Sequence, residues 1–370
     1  MGEKGFSGSN TDQRPRDRPV DLQFDKAQSP FPKKKKWAFG ENISALVMVG
    51  STLFCASDET VSVERLVLSE DGMEFGDHKS ISLRKFFKFK DESDSEVDLE
   101  GLALTDGYLW LVGSHSLKRA EPEAGEEVVS LAGAISWDSK RAFLARIPLV
   151  EEKTGIFGLS KLADGRTAAM VDPGEGRDDG LRGLLSQEGL LQPFLNIPSK
   201  ENGFDIEGIA VLDQTRVLLG LRGPVIGSFA LIVEIQLEDG EAGRLVPKKI
   251  GERAYRLYAM NLGGLGVRDL MLDGRRLLVL SGTSQKTESI QRVFAIDVDA
   301  LPETGSVLAE DQVTLLLTLT TSGWGDHAEA ITLLSGSSPK QLLVAYDSPS
   351  NERLSRKKDR LTADVFLLPV

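Results

Sequence analysis

Two strings in this 370-residue chain carry the same arrangement of acids: "DLEGLA" from Asp98 and "DIEGIA" from Asp205, with a related "HAEAI" from His327. Side chains two apart on a strand point to one face, so Asp98 and Glu100, and likewise Asp205 and Glu207, share a direction. Burying such carboxylates without a partner is costly, so they call for water, a cation or a basic side chain. Asp98, Glu100, Asp205 and Glu207 are the hard oxygen donors that calcium or magnesium takes, with Asn42 or water completing a shell. Arg222 and Arg268 are the basic residues placed to anchor an anionic or carbonyl oxygen. His115, His327 or a glutamate of raised pKa would move the proton in a metal-assisted hydrolysis.

Such residues meet only if the chain brings distant segments to one place, and the sequence repeats itself in a way that does so. Five segments, starting at Asn42, Asp98, Asp205, Gly266 and His327, share an apolar strand, a turn and a second apolar strand that ends in polar residues. A third strand follows each: "VERLVL", "RAFLARIPL", "FALIVEIQL", "RVFAIDV" and "ADVFLLPV". The turns, two of them Asp-Gly, have hairpin chemistry. Ser44, Glu100, Glu207, Arg268 and Glu329 recur at the interval expected of a four-stranded unit, except that the Glu100 to Glu207 step is nearly twice as long. The expected fold class is therefore all-β, a β-propeller of five or six blades. The long step, with leucines at helical spacing from Leu181 to Leu191, would hold a small helical insertion around residues 150–200 or a degenerate sixth blade. A β-sandwich with internal duplication is the competing architecture.

In a propeller the first strands line the channel. Equivalent positions then form an outer ring of Asn42, Asp98, Asp205, Gly266 and His327, with Ser44, Glu100, Glu207, Arg268 and Glu329 two residues deeper. The antiparallel second strands return Asp58, His115, Arg222, Thr283 and Asp347 to the same mouth. The expected ligand-binding set is thus Asn42, Asp58, Asp98, Glu100, Asp205, Glu207, Arg222, Arg268, His327, Glu329 and Asp347.

Composition narrows the classes. Lys and Arg number 44 against 56 Asp and Glu, a formal net charge of −12, which argues against a nucleic-acid surface. Cys55 is the single cysteine, so neither an internal disulfide nor a Cys-rich zinc site can form. Without an uninterrupted run of about 20 apolar residues, no membrane span is expected. The balance points to a soluble, cytoplasmic protein or a periplasmic one without disulfides. Residues 1–36 read as a flexible basic leader ending in "FPKKKKW", and 37–370 as a single propeller domain. The serines show no nucleophile elbow, and "LGGLGVRD" lacks the context of a phosphate loop. "GLRGPVIG" would hold Arg222 over the mouth or form an edge turn. Trp324 is a core residue or lines the mouth beside His327. The excursion "EPEAGEEVVSLAGAISWD" would serve as a partial lid.

The two acidic strands, "GLRGPV" from Gly220 and "HAEAI" from His327 resemble, in order and spacing over residues 40–370, a mostly bacterial family catalogued as domain-of-unknown-function family 3616. The resemblance implies a propeller-like fold. "DLEGLA" is more distantly similar to the first-strand motif of esterase-like phytase propellers, which implies calcium and phosphate-ester chemistry. Three functions stay open: binding of a divalent cation or small polar ligand at the mouth, metal-dependent esterase or phosphoesterase activity there, and a scaffold for a protein partner. The plainest arrangement is a hydrogen-bonded ring of Arg268 and the glutamates that plugs the channel.

Overall fold

The hairpin signals are realised turn by turn. Asp106 and Gly107 both take positive φ, 48° and 76°, and join Thr105 to its strand partner Tyr108, the two-residue mirror-image turn that matches strand twist. A computed structural model of the protein describes residues 18–30, 38–89, 96–120, 123–187, 189–285, 287, 290–319 and 326–369.

Five antiparallel units follow one another among these residues. The first consists of Ala45–Val49, Thr52–Ala56, Ser62–Leu68 and Glu74–Ser82. The second is Leu99–Thr105, Tyr108–Gly113, Leu144–Lys153 and the short Ala169–Val171. The third is Asp205–Val211, Arg216–Ile226 and Phe229–Asp239, with Arg244–Lys248 and Arg256–Asn261 sharing its outer edge. The fourth is Gly266–Asp273, Arg276–Gly282, Gln291–Asp297 and Thr314–Leu319. The fifth is His327–Leu333, Gln341–Asp347, Arg360–Leu367 and Arg18–Gln23.

The first strands contact one another in chain order, and the fifth contacts the first, so the ring closes as a β-propeller. Five hydrophobic clusters, one between each pair of neighbouring units, hold it together. Polar stitches join adjacent inner strands: Ser44 Oγ donates to the Leu99 carbonyl at 2.6 Å, and the Ile331 N–H donates to Asp269 Oδ2 at 2.8 Å. At the seam the Met48 N–H donates to Thr332 Oγ1 at 3.1 Å.

A backbone irregularity recurs on the inner strands. Strand register shifts between Leu99 and Gly101, Ile206 and Gly208, Val267 and Asp269, and Ala328 and Ala330. The residue bulged out of the ladder is Glu100, Glu207, Arg268 or Glu329, and a bulge re-aims its side chain. The glycines that follow the glutamates are required by closeness. A Cβ on Gly101 would lie 2.9 Å from Ile209 Cγ2, and one on Gly208 would lie 2.8 Å from the Leu270 nitrogen in the next unit.

One feature differs from the sequence reading, and a second bears on an alternative that reading left open. Within the expected leader, Arg18–Gln23 is a strand with Val20 and Leu22 buried; it pairs antiparallel with Arg360–Leu367 and parallel with Glu74–Ser82. Its apolar alternation, Val20, Leu22 and Phe24 in "VDLQF", is short and is flanked by polar and charged residues on both sides. Residues 1–17 and 31–37, including the lysine run, lie outside the described residues. Among the described residues, the long step between the second and third inner strands holds one α-helix, Gly180–Leu185, whose Leu181 and Leu185 pack into the core with Leu191 and Leu195. No sixth inner strand occurs among the described residues.

The glycine constraint is testable by urea unfolding. Gly208→Ala should lower stability by about 1–3 kcal/mol, the cost of overpacking. Gly76→Ala, with nothing within 4 Å of the added methyl, should change it by no more than about 0.5 kcal/mol. Equal effects would show that the close approach of inner strands at Gly208 is not a constraint.

Candidate functional site

The bulges direct their side chains into a cavity of about 760 Å³ at one end of the channel. Glu100, Glu207, Arg268 and Glu329 line it, together with Asn42, Ser44, Asp58, Arg222, Thr283, His327 and Asp347. The ring geometry expected from the repeats therefore holds for most of its members. Residues from all five units reach one space.

One side of this space is governed by arginines. Arg268 Nε lies 3.0 Å from Glu207 Oε2, and the same guanidinium pairs with Glu329. Arg222 Nη1 donates to Glu207 Oε1 at 2.8 Å and sits 3.7 Å from Asp205 Oδ2. Arg222 is held by its backbone: a Cβ on the following Gly223 would stand 2.3 Å from the Gly203 carbonyl oxygen. The Val225 N–H donates to Asn202 Oδ1 at 2.8 Å, which docks the 197–203 loop on the end of this strand. Burial and the Glu207 charge raise Asp205 well above the usual carboxylate range, against the pull of Arg222. Burial lowers the Arg268 pKa, with Glu207 opposing.

Across the cavity the acids outnumber their counter-charges. One carboxylate oxygen from each of Asp58, Asp98 and Glu100 lies within 4.8 Å of the other two. Arg141 serves this group, its Nη2 donating to Asp98 Oδ1 at 2.8 Å and its Nη1 to Ser116 Oγ at 2.8 Å. Burial raises Asp98 despite that pairing. Glu100 is pushed well up by burial and then by Asp98, Glu207 and Asp58. Asp58 is pushed well up by burial and then by Asp98 and Asp347. Burial also raises Asp347, against Arg268. Crowded carboxyls with raised pKa hold protons, or they bind a cation that removes their repulsion.

The four expected metal ligands thus divide. Asp98 and Glu100 gather with Asp58, with Arg141 on Asp98, whereas Arg222 stands within ion-pair distance of both Asp205 and Glu207, and Arg268 pairs with Glu207. His115 departs from the mouth. It is buried, absent from the cavity lining, and its Nδ1 donates to the Gly113 carbonyl at 2.9 Å. Burial brings its pKa down to about 4, leaving a neutral imidazole. Arg182 of the helix covers it, Nη1 donating to the His115 carbonyl at 2.6 Å. Asp98 and Asp205 lie behind the lining rather than in it.

Several cavity residues were not read from the sequence. Lys200, Gln285, Thr287, Gln291 and Ser348 line the space, and Arg141 supports it from behind. All lie outside the repeated first and second strands, in loops or third strands whose reach no spacing rule predicts. The excursion after Leu117 is a small hairpin, Lys118–Arg119 against Ile135–Ser136. It leans on the loop that carries Lys200 through the Arg119–Glu201 ion pair. Trp324 lies outside the described residues.

Solved structures resemble this chain in fold alone. Glutaminyl cyclase from Myxococcus xanthus has 10% identity over 97% of this chain and 99% of its own, with a TM-score of 0.42. The WD40 β-propeller domain of Doa1 has 9% identity over 88% and 93%, with a TM-score of 0.30. Hydrazine synthase of Kuenenia stuttgartiensis has 11% identity over 87% of this chain, with a TM-score of 0.33, and the match spans 60% of the synthase chain. No curated protein matches. A family model described as "Protein of unknown function (DUF3616)" matches residues 42–364, so the chain, as its "DLEGLA", "DIEGIA" and "HAEAI" strands suggest, belongs to that family.

Proposed function

We propose that the protein binds a divalent cation through Asp58, Asp98 and Glu100, and with it a small polar or anionic ligand in the cavity. The observation that carries this reading is the convergence of three carboxylates from two units, Asp58 and Glu100 on the wall of an open cavity and Asp98 just behind it, with Arg141 the one guanidinium within hydrogen-bond distance of them among the described residues. The donor set is all oxygen, which suits calcium or magnesium. A bound cation would offset both the burial and the acidic neighbours that raise Glu100 and Asp58.

A second reading, a metal-dependent esterase or phosphoesterase, is favoured by Arg222 and Arg268 standing across the same cavity. The cation would supply Lewis-acid polarisation. Arg222 and Arg268 would orient an anionic or carbonyl oxygen, and His327, which lines the cavity, would handle a proton. The scaffold reading draws on exposed Val128, Val129 and Leu131 on the excursion. Among the described residues no helix is long and apolar enough to cross a membrane; a cytoplasmic location is supported by the single, buried Cys55.

Two measurements check the cation. Chelator-treated protein should show a rise of several degrees in thermal midpoint with calcium or magnesium, because a ligand of the native state alone stabilises it. The Asp58→Asn, Glu100→Gln double variant should lose that response, whereas no rise in the wild type with any divalent cation would remove the proposal.

The second is pH dependence without metal. The folded carboxyls have raised pKa, so the native state holds protons that the unfolded chain releases. Their effect is a loss of stability as pH rises from about 4, the unfolded carboxylate range, through the raised folded values. As pH rises from about 4 through those raised values, the double variant should therefore lose less stability than the wild type. Parallel profiles would mean that burial and the neighbouring acids do not raise these two carboxyls in the folded protein.

A further inference from the structure

Of the 17 described residues that line the cavity, Ile43 alone has an apolar side chain. Pockets for drug-sized or cofactor-like molecules are lined mostly by apolar and aromatic groups, so this space, ringed by polar side chains, suits a ligand that carries several polar groups. Its two halves differ. Units one, two and five contribute Asp58, Glu100 and Asp347; unit four and the 197–203 loop contribute Thr283, Gln285, Thr287 and Lys200. The second half is preorganised. Thr283 Oγ1 and Thr287 Oγ1 are 3.0 Å apart, the Gln285 N–H donates to Thr283 Oγ1 at 3.1 Å, and the Thr287 N–H donates to the Gln285 carbonyl at 2.8 Å.

A threonine hydroxyl both donates and accepts, and a glutamine amide offers both roles on one plane, which is the pattern that matches alcohol groups. Glu207 and Glu329 already occupy Arg222 and Arg268, so a cation in the acidic half is what would make the cavity receptive to negative charge. We infer that, given the cation binding proposed above, the ligand is a small polyhydroxylated anion. Its carboxylate or phosphate oxygens complete the shell of the cation at Asp58, Asp98 and Glu100, and its hydroxyls bond to Thr283, Gln285 and Thr287, with Lys200 adding positive charge. A cavity of about 760 Å³ has room for a monosaccharide with bridging waters.

The test is calorimetric titration of calcium-loaded protein with glucuronate, glucose 6-phosphate, glucose and succinate. At least one anionic sugar should bind about tenfold or more tightly than both glucose and succinate, a difference of about 1.4 kcal/mol. The two anionic sugars tell carboxylate from phosphate. Thr283→Val, Thr287→Val should weaken that sugar about tenfold while leaving the calcium-induced thermal shift in place, a shift that also reports correct folding. Glucose or succinate binding as well as the anionic sugars would overturn the inference, as would an unaffected threonine variant or no sugar binding with calcium seated. Failure of calcium itself to shift the wild-type midpoint would instead overturn the cation reading, and this inference with it.

Discussion

A bulge at one register of four inner strands is the constraint on which the rest of the mouth depends. An unbroken strand alternates its side chains between the two faces of the sheet, and in a propeller both faces pack against neighbouring units. Glu100, Glu207, Arg268 and Glu329 escape that packing because the ladder skips them. The next residue must let the adjacent inner strand come close, which Gly101, Gly208 and Ala330 do by being small. In unit four the corresponding residue is Asp269, whose carboxylate accepts from the Leu270 and Ile331 N–H groups. Unit one substitutes Ser44, ahead of its strand, with a hydroxyl that ties to unit two.

Aiming charged groups into one channel creates a balance that the structure settles unevenly. Arg268 is shared by Glu207 and Glu329, Arg222 by Glu207 and Asp205, and Arg141 is committed to Asp98. Taking one partner from a buried pair leaves an uncompensated charge and costs several kcal/mol, roughly 3–5, so these carboxylates are poorly placed to exchange an arginine for a ligand. Asp58, Glu100 and Asp347 are differently placed, with raised pKa in a cavity that solvent reaches. The glutamate ring expected as a plug is real on the side of units three to five. It does not extend to units one and two.

Much of this was legible in the sequence because repetition is a strong signal. Turn chemistry at Asp106-Gly107 and recurring apolar pairs locate the strands, and the equivalence of Glu100, Glu207, Arg268 and Glu329 predicts that they meet. The same reasoning places Asp205 beside Glu207 on one face by counting two residues, an argument that presumes an unbroken pleat. The register shifts twice across Asp205 to Gly208, and a bulge leaves no compositional mark except the glycine that follows. Arg141 was illegible for a different reason. It sits in a turn after the 117–138 excursion, so its approach to Asp98 depends on how that loop returns rather than on any period.

Unit four shows how site and scaffold are linked. The outer edges of units one and five are joined through Arg18–Gln23, and those of two and three through the parallel pairing of Ala169–Val171 with Arg244–Lys248. Among the described residues the outer strand of unit four, Thr314–Leu319, pairs only with its own unit. Away from the mouth the unit is held by the Ala259 N–H donating to the Ser306 carbonyl at 3.0 Å, the Leu308 N–H donating to the Ala259 carbonyl at 2.8 Å, Arg276 Nη1 donating to the Pro369 carbonyl at 3.1 Å and the Lys340–Asp273 ion pair. At the inner strands it is held by the site's own groups. Gln291 forms paired hydrogen bonds with the Ala328 backbone at 2.8 and 2.9 Å, Asp269 reaches Ile331, and Arg268 spans Glu207 and Glu329. Gln291 and Arg268 both line the cavity. Part of the polar contact that positions unit four therefore belongs to the site, so whatever alters charge at the mouth also bears on how firmly this unit is seated in the ring.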